Sequence, residues 1–199
     1  SKNVDHSVVH VAMDDKRYFL ERLVTENPES KILVFVRTKV RCERVHAAME
    51  RVNIPSIYMH GGKDQKDRLD VLNSFKQGNA KMLIATDVSA RGIDIADVDF
   101  VVNYDLPDHP ENYVHRVGRT GRGRKKGMAY SFCDASEKEL LKNIESYIGK
   151  SIKTLELSQD GYKEITDFSV TKDMNLKDII HELEPVVNKR YGIKKSKRK

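Results

Sequence analysis

Residues 31–38 read Lys31-Ile32-Leu33-Val34-Phe35-Val36-Arg37-Thr38. Five consecutive apolar residues, three of them β-branched, leave no polar face, which predicts a strand buried on both sides. Arg37 ends the run, and Thr38 is suited to cap a following helix that carries Val40, Val45 and Met49. A strand covered on both faces and followed at once by a helix is the repeating unit of a parallel sheet.

The same alternation extends outward. Upstream, Phe19, Leu20 and Leu23 have helical spacing within residues 18–24. Downstream, residues 54–59 predict a second strand, and Asp64 can cap a helix bearing Leu69, Leu72 and Phe75 that Gly78 closes. Residues 81–85, Phe100–Asn103 and 128–133 read as three more strands. Pro110 suits the first turn of another helix, and Leu140, Leu141, Ile144 and Ile148 give an amphipathic one. The fold expected is α/β, a parallel sheet sandwiched between helices and joined by right-handed crossovers. Ligands of such sheets gather at the carboxyl ends of the strands, so the loops after Val36, Met59, Ala85 and Asn103 are the expected site.

Past about residue 150 the pattern loosens. An edge strand is expected within 151–157, mixed loop over 158–174, then a short helix capped by Asn175, bearing Leu176, Ile179, Ile180 and Leu183 and stopped by Pro185. The expected division is one domain over 1–155 and an extension over 156–199 ending in a basic, disordered tail.

Composition narrows the class. Of 199 residues, 39% are hydrophobic and 33% charged, enough for one core beneath a busy polar surface. No apolar run is long enough to cross a membrane, and no basic start precedes an apolar stretch, so neither a spanning helix nor a secretory leader is read. The first residue is Ser1, which suggests a piece of a longer chain. Cys42 and Cys133 stand far apart and outside any C-x-x-C pair, which fits reduced thiols and a cytoplasmic location. The other histidines, among them His6, His10, His46 and His181, lack metal-ligand spacing, so no metal site is expected. Net charge is +6, but residues 185–199 alone hold seven Lys or Arg and no acid, leaving the rest of the chain at −1. Residues 113–127 carry six more cations and no acid. Two concentrated basic patches point to polyanions, nucleic acid above all.

The chemistry concentrates in His115-Arg116-Val117-Gly118-Arg119-Thr120-Gly121-Arg122. Spacing of three places the arginines near one face if the segment is helical, and glycines let a polyanion approach. Guanidinium groups hold phosphate oxygens bidentately and stay charged at any working pH. Two readings stay open on spacing alone: a basic face that touches nucleic-acid backbone, or arginines aimed at a transferring phosphoryl group.

This run resembles motif VI of the DEAD-box RNA helicases, where the leading His115 stands in place of the Gln usual in DExH relatives. Ile84-Ala85-Thr86-Asp87-Val88-Ser89-Ala90-Arg91-Gly92-Ile93-Asp94-Ile95 resembles that family's motif V. Val34-Phe35-Val36-Arg37-Thr38-Lys39 resembles motif IV, with Arg37 where the family often has Asn. His60-Gly61-Gly62-Lys63-Asp64-Gln65-Lys66-Asp67-Arg68 resembles its His-Gly-x-x-x-Gln-x-x-Arg segment. The four blocks stand in family order, each at an expected strand end, and the resemblance covers roughly residues 4–155.

The resemblance implies a RecA-like, P-loop NTPase-type fold, the C-terminal lobe of an ATP-dependent RNA helicase. It implies that Arg119 and Arg122 are arginine fingers on the γ-phosphate and that Asp94 holds the ATP ribose. His115 and Arg116 would couple the ATP site to the opposite lobe and the RNA site. Thr38, Gly62, Arg68, Thr86 and Arg91 would hold RNA through its backbone, with little base specificity. Partners are then RNA and an N-terminal RecA-like lobe, with no membrane; the cofactor is ATP with Mg2+ held by that other lobe. No G-x-x-x-x-G-K-[ST], Asp-Glu-Ala-Asp or Ser-Ala-Thr occurs in these residues, so ATP hydrolysis by them alone is expected to be negligible.

Two other classes remain. A non-catalytic RNA-binding module would use the same basic surfaces without hydrolysis, and upstream sequence discriminates it. A DNA helicase or DExH enzyme would prefer DNA duplexes; His115 and the full motif V speak against it.

Overall fold

The computed structural model describes residues 3–121 and 126–167. Seven strands form one sheet: β1 (Val4–His10), β2 (Ile32–Val36), β3 (Ile57–Met59), β4 (Met82–Thr86), β5 (Phe100–Asn103), β6 (Gly127–Cys133) and β7 (Lys153–Thr154). Their order is β3-β4-β2-β5-β6-β1-β7, and every pairing is parallel. The helices between them are α1 (Lys16–Glu26), α2 (Lys39–Arg51), α3 (Gln65–Gln77), α4 (Asp87–Ala90), α5 (Pro110–Val117), α6 (Lys138–Ile148) and α7 (Gln159–Thr166).

Two cores explain the apolar strands. Leu33 and Phe35 of β2 pack with Leu72 and Phe75 of α3, Tyr113 and Val117 of α5, and Leu141 and Ile144 of α6. Ile32, Val34 and Val36 pack on the opposite face with Phe19 and Leu20 of α1, Val45 and Met49 of α2, and Ile165 of α7. Both faces of β2 are thus dry, which alternating polar residues would not survive. Met59 lies level with Ala85, Phe35 with both Ala85 and Asn103, and Asn103 with Ser131. That register brings the carboxyl ends of five neighbouring strands to one edge.

Local signals act as expected at several ends. Thr38 Oγ1 accepts from Arg41 N at 3.2 Å, and Asp64 Oδ1 accepts from Asp67 N at 2.8 Å. Gly78 closes α3 at φ +79°, and Pro110 occupies the first turn of α5.

Several expectations fail. Val40 and Leu69 are exposed; on α2 the inward position belongs to Cys42, one turn earlier than Val45. Strand β1 was not expected, because Asp5, His6 and Ser7 break its apolar pattern, yet it pairs with β6 over seven residues and buries Val4, Val8 and Val9. The edge strand shortens to Lys153–Thr154. Within the expected loop lies α7, capped by Ser158, whose hydroxyl accepts from Gly161 N at 3.0 Å. Beyond residue 155, α7 still packs on α1: the Tyr162 hydroxyl donates to Asp15 Oδ2 at 2.6 Å and accepts from Ala12 N. The helix expected from Asn175 and the basic tail lie outside the described residues. Both cysteines are free and buried, and burial pushes Cys42 up to about 12 and Cys133 up to about 11. No helix among the described residues is long and apolar enough to cross a membrane.

Candidate functional site

The arginine run does not form one helical face. Helix α5 stops at Val117, so Arg116 and Arg119 diverge. Arg116 is 1% exposed. Its Nε and Nη2 donate to Asp87 Oδ1 and Oδ2, both at 2.7 Å, while Nη1 donates to Asp105 O at 2.7 Å and Asn103 Oδ1 at 3.2 Å. A buried guanidinium is tolerable only with such complete pairing. Its plane also lies over the Phe35 ring, 5.0 Å from the centroid.

Arg119 turns under the segment after α4. Nη1 donates to Ile93 O at 2.9 Å and Ile95 O at 3.3 Å, and Nη2 to Ala90 O at 3.2 Å. These carbonyls bracket Asp94, whose exposed carboxylate stands 3.7 Å from Lys76 Nζ. The structure thus brings Arg119 and Asp94 into one loop. His115 is exposed beside them, and Arg91 donates to Asn112 Oδ1 at 2.9 Å. Arg91, His115, Arg116 and Arg119 line a shallow depression with Phe35 and Asp87. Arg122 lies outside the described residues.

Thr86 is buried and forms a reciprocal capping box with Ser89. Thr86 N donates to Ser89 Oγ at 3.1 Å, and the Ser89 hydroxyl reaches Met59 O at 2.8 Å. Ser89 therefore ties the ends of β3 and β4 together. Across from it, Arg68 Nη2 donates to Ser89 O at 3.3 Å. Gly62 N donates to His60 Nδ1 at 3.0 Å, and a Cβ at Gly62 would meet that ring at 3.0 Å. His60 Nε2 is held at 2.9 Å by Glu43 of α2. Thr38 is exposed at the head of α2, and the neighbouring Lys39 side chain lies near Gly61 and Gly62. Thr38, Gly62, Arg68, Thr86 and Arg91 thus sit at the ends of three adjacent strands, with Thr86 facing inward.

Arg37 is built into an ion network. Its Nη2 reaches Glu137 at 3.2 Å and its backbone N donates to Asp105 Oδ2 at 3.1 Å. Lys16, fully buried, donates to Glu137 Oε2 at 2.6 Å, with Asp134 at 3.5 Å and Asp105 at 3.7 Å. Glu137 also accepts from Leu106 N and Asp134 N. Sequence reading missed this network: Lys16 resembles any lysine at a helix start, and its partners are remote in the chain. It also missed Asp87, Ser89 and Asn112. The first two stand inside the quoted motif V, where Thr86 could be read as the cap of the following short helix but Ser89 was not read as its reciprocal partner; Asn112 carried no signal.

Comparisons with known proteins follow the same outline. The model of the helicase conserved C-terminal domain matches residues 15–124. The chain is 46% identical over 157 residues to the ATP-dependent RNA helicase DbpA of Bacillus subtilis, covering 78% of this chain and 33% of that one. It is 40% identical over 165 residues to the ATP-dependent RNA helicase RhlB of Shewanella amazonensis, covering 83% and 38%. It thus spans about a third of the length of these curated relatives. The C-terminal domain of the DEAD-box protein Dbp5 superposes with TM-score 0.70 at 31% identity, covering 78% of this chain and 92% of that one. The E. coli DEAD-box protein SrmB, solved bound to regulator of ribonuclease activity A, gives 0.75 at 29%, covering 87% and 100%.

Proposed function

Because the chain belongs to the DEAD-box helicase family, as its conserved C-terminal RecA-like domain, we propose that it is one lobe of an ATP-driven motor that remodels RNA. The observation that carries this reading is the common edge of the sheet. There the ends of β3, β4 and β2 carry Thr38, Gly62, Arg68 and Arg91, while Arg116 is fixed to Asp87 and Arg119 lies under the carbonyls on either side of Asp94.

In this reading Arg119 and Arg122 stabilise charge on the γ-phosphoryl group, and Asp94 accepts hydrogen bonds from the ribose hydroxyls of ATP. Arg119 would exchange its carbonyl partners for phosphate oxygens when a second lobe closes. Arg116, locked to Asp87, makes the arginine loop and the RNA-facing loop after β4 move as one body, while exposed His115 meets the other lobe. Thr38, Gly62, Arg68 and Arg91 grip the sugar–phosphate backbone, and Thr86 shapes the turn from inside. Closure on a strand held in a bent path would expel its pairing partner, and hydrolysis would reopen the cleft. Mg2+ would accompany ATP and would neutralise phosphate charge. The ion is assigned to the other lobe, which would carry the phosphate loop and Asp-Glu-Ala-Asp. The cytoplasm is the compartment proposed, in keeping with two buried free thiols.

The test is ATP hydrolysis with and without RNA. The 199-residue chain alone is expected to show none. Joined to an N-terminal lobe carrying a phosphate loop and Asp-Glu-Ala-Asp, it should show RNA-stimulated turnover that Arg119→Ala lowers by about 10³-fold. Turnover by the chain alone, or by the joined Arg119→Ala variant at the parent rate, refutes the assignment.

A further inference from the structure

On α2, Arg41, Arg44 and Arg51 recur at intervals that keep them on one face of the helix. With Arg17 of α1 they line an open trough to which Met13, Val45, Ala47, Ala48 and Tyr104 also contribute. Among its lining residues four guanidinium groups face one carboxylate, that of Asp14. Glu43 and Glu50 of α2 are engaged elsewhere, with His60 at 2.9 Å and His46 at 3.3 Å.

Two of the arginines are held in place. Arg41 Nε donates to the Asp105 carboxylate at 2.9 Å, and Arg17 Nη2 to the Tyr18 hydroxyl at 2.6 Å. Arg44 and Arg51 are exposed and have no hydrogen-bond or ion-pair partner among the described residues. Asp105 accounts for Arg41, but among the lining residues only the Asp14 carboxylate is left for Arg17, Arg44 and Arg51, so the arrangement points to an anion from outside.

Arg41, which lines the trough, stands one turn beyond Thr38, whose hydroxyl accepts from Arg41 N at 3.2 Å. A strand leaving the loops assigned to RNA above therefore meets Arg41 first, then Arg44 and Arg51, over about 15 Å of helix. The lining favours nucleic-acid backbone over an acidic peptide. Peptide affinity concentrates in large apolar anchors seated in pockets, whereas in this open trough Val45 and Tyr104 are buried, Met13 is in contact with the Arg41 guanidinium, and Ala47 and Ala48 are small. Tyr104 is buried, with Arg41 and Phe132 against its ring, so it gives no platform for a base. Phosphates need only the cations.

We infer that this trough is an additional RNA subsite that takes the backbone of single-stranded RNA beyond the strand-end loops, without reading its bases. It rests on the RNA reading proposed above and extends the footprint past the family motifs.

The experiment is fluorescence anisotropy of the 199-residue chain with oligouridines of about 6 and about 20 nucleotides, repeated over a series of salt concentrations. The doubly substituted Arg44→Ala, Arg51→Ala chain should bind the longer RNA roughly tenfold more weakly, with the slope of log K on log salt smaller by about 1.4, as loss of two single-strand phosphate contacts requires. Its affinity for the shorter RNA should be unchanged. Arg68→Ala should weaken both. Circular dichroism checks that the exposed substitutions leave the fold intact. An unchanged affinity and slope for the longer RNA overturns the subsite. If only Arg68→Ala is without effect, the subsite stands and the reading of the strand-end loops fails. A labelled Glu-Leu repeat peptide that outbinds the longer RNA, and loses that binding in the double variant, assigns the trough to protein and overturns the RNA subsite.

Discussion

Arg116 and Asp87 are joined by two parallel hydrogen bonds, Nε to Oδ1 and Nη2 to Oδ2, both 2.7 Å. The pair spans 29 residues of sequence and fastens α5 to the first residue of α4. Because the guanidinium also takes Asn103 Oδ1 and Asp105 O, one side chain fixes the ends of β4 and β5 against the arginine loop. Asp87→Asn would leave that guanidinium buried without its counter-charge. Expected is a loss of about 3 kcal/mol in urea unfolding at unchanged m. Arg116→Lys should cost a similar amount, since an ammonium cannot make the fork.

The Lys16 network gives a second prediction. Lys16→Met leaves the buried Asp105 and Glu137 carboxylates short of positive charge, and Glu137→Gln leaves Lys16 underpaired. Each single change should cost roughly 3–5 kcal/mol, and the double change clearly less than their sum. Additive losses in a double-mutant cycle would show that the two groups act independently.

Two glycines with nearly the same backbone angle separate strain from crowding. Gly121 has φ +70°, and a Cβ there would lie 2.5 Å from Asn3 O and from a Val4 methyl. Gly149 has φ +69° with nothing within 4 Å of that position. Gly149→Ala should cost about 1 kcal/mol from the left-handed conformation alone. Gly121→Ala should cost about 3 kcal/mol, because β1 must move as well. Equal thermal shifts for the two variants would contradict this.

Stability should depend on pH through His6. Burial is the main force pushing its imidazole down to about 4, the Lys150 charge adds to it, and Asp5 opposes it. Its Nδ1 lies 3.0 Å from the Tyr113 hydroxyl. The unfolded chain, with an ordinary imidazole near 6.5, binds the proton first as pH falls. This contribution is therefore complete above about 6.5 and is lost progressively toward about 4. Melting temperatures of the parent and of His6→Gln should converge across that window on acidification; parallel curves would remove His6 as the cause.

The strand-end loops were legible because their polar residues follow apolar runs that admit only one structure. Ile32–Val36 had to be a buried strand, and Thr38 and Asp64 could cap what followed. Strand β1 was illegible because Asp5, His6 and Ser7 hide its buried valines. Helix α7 was illegible because its burial rests on α1, and so on Tyr162 finding Asp15.

The sequence by itself determined the parallel α/β architecture and the four blocks along one edge, since apolar periodicity, caps and spacing are local properties. Which way each functional side chain points was decided only by tertiary structure. Arg116 and Arg119 look alike in the run, yet the end of α5 at Val117 sends one into the core against Asp87 and the other under the carbonyls around Asp94. A buried guanidinium is admissible only where remote groups converge to satisfy it, and that convergence is a property of the folded chain.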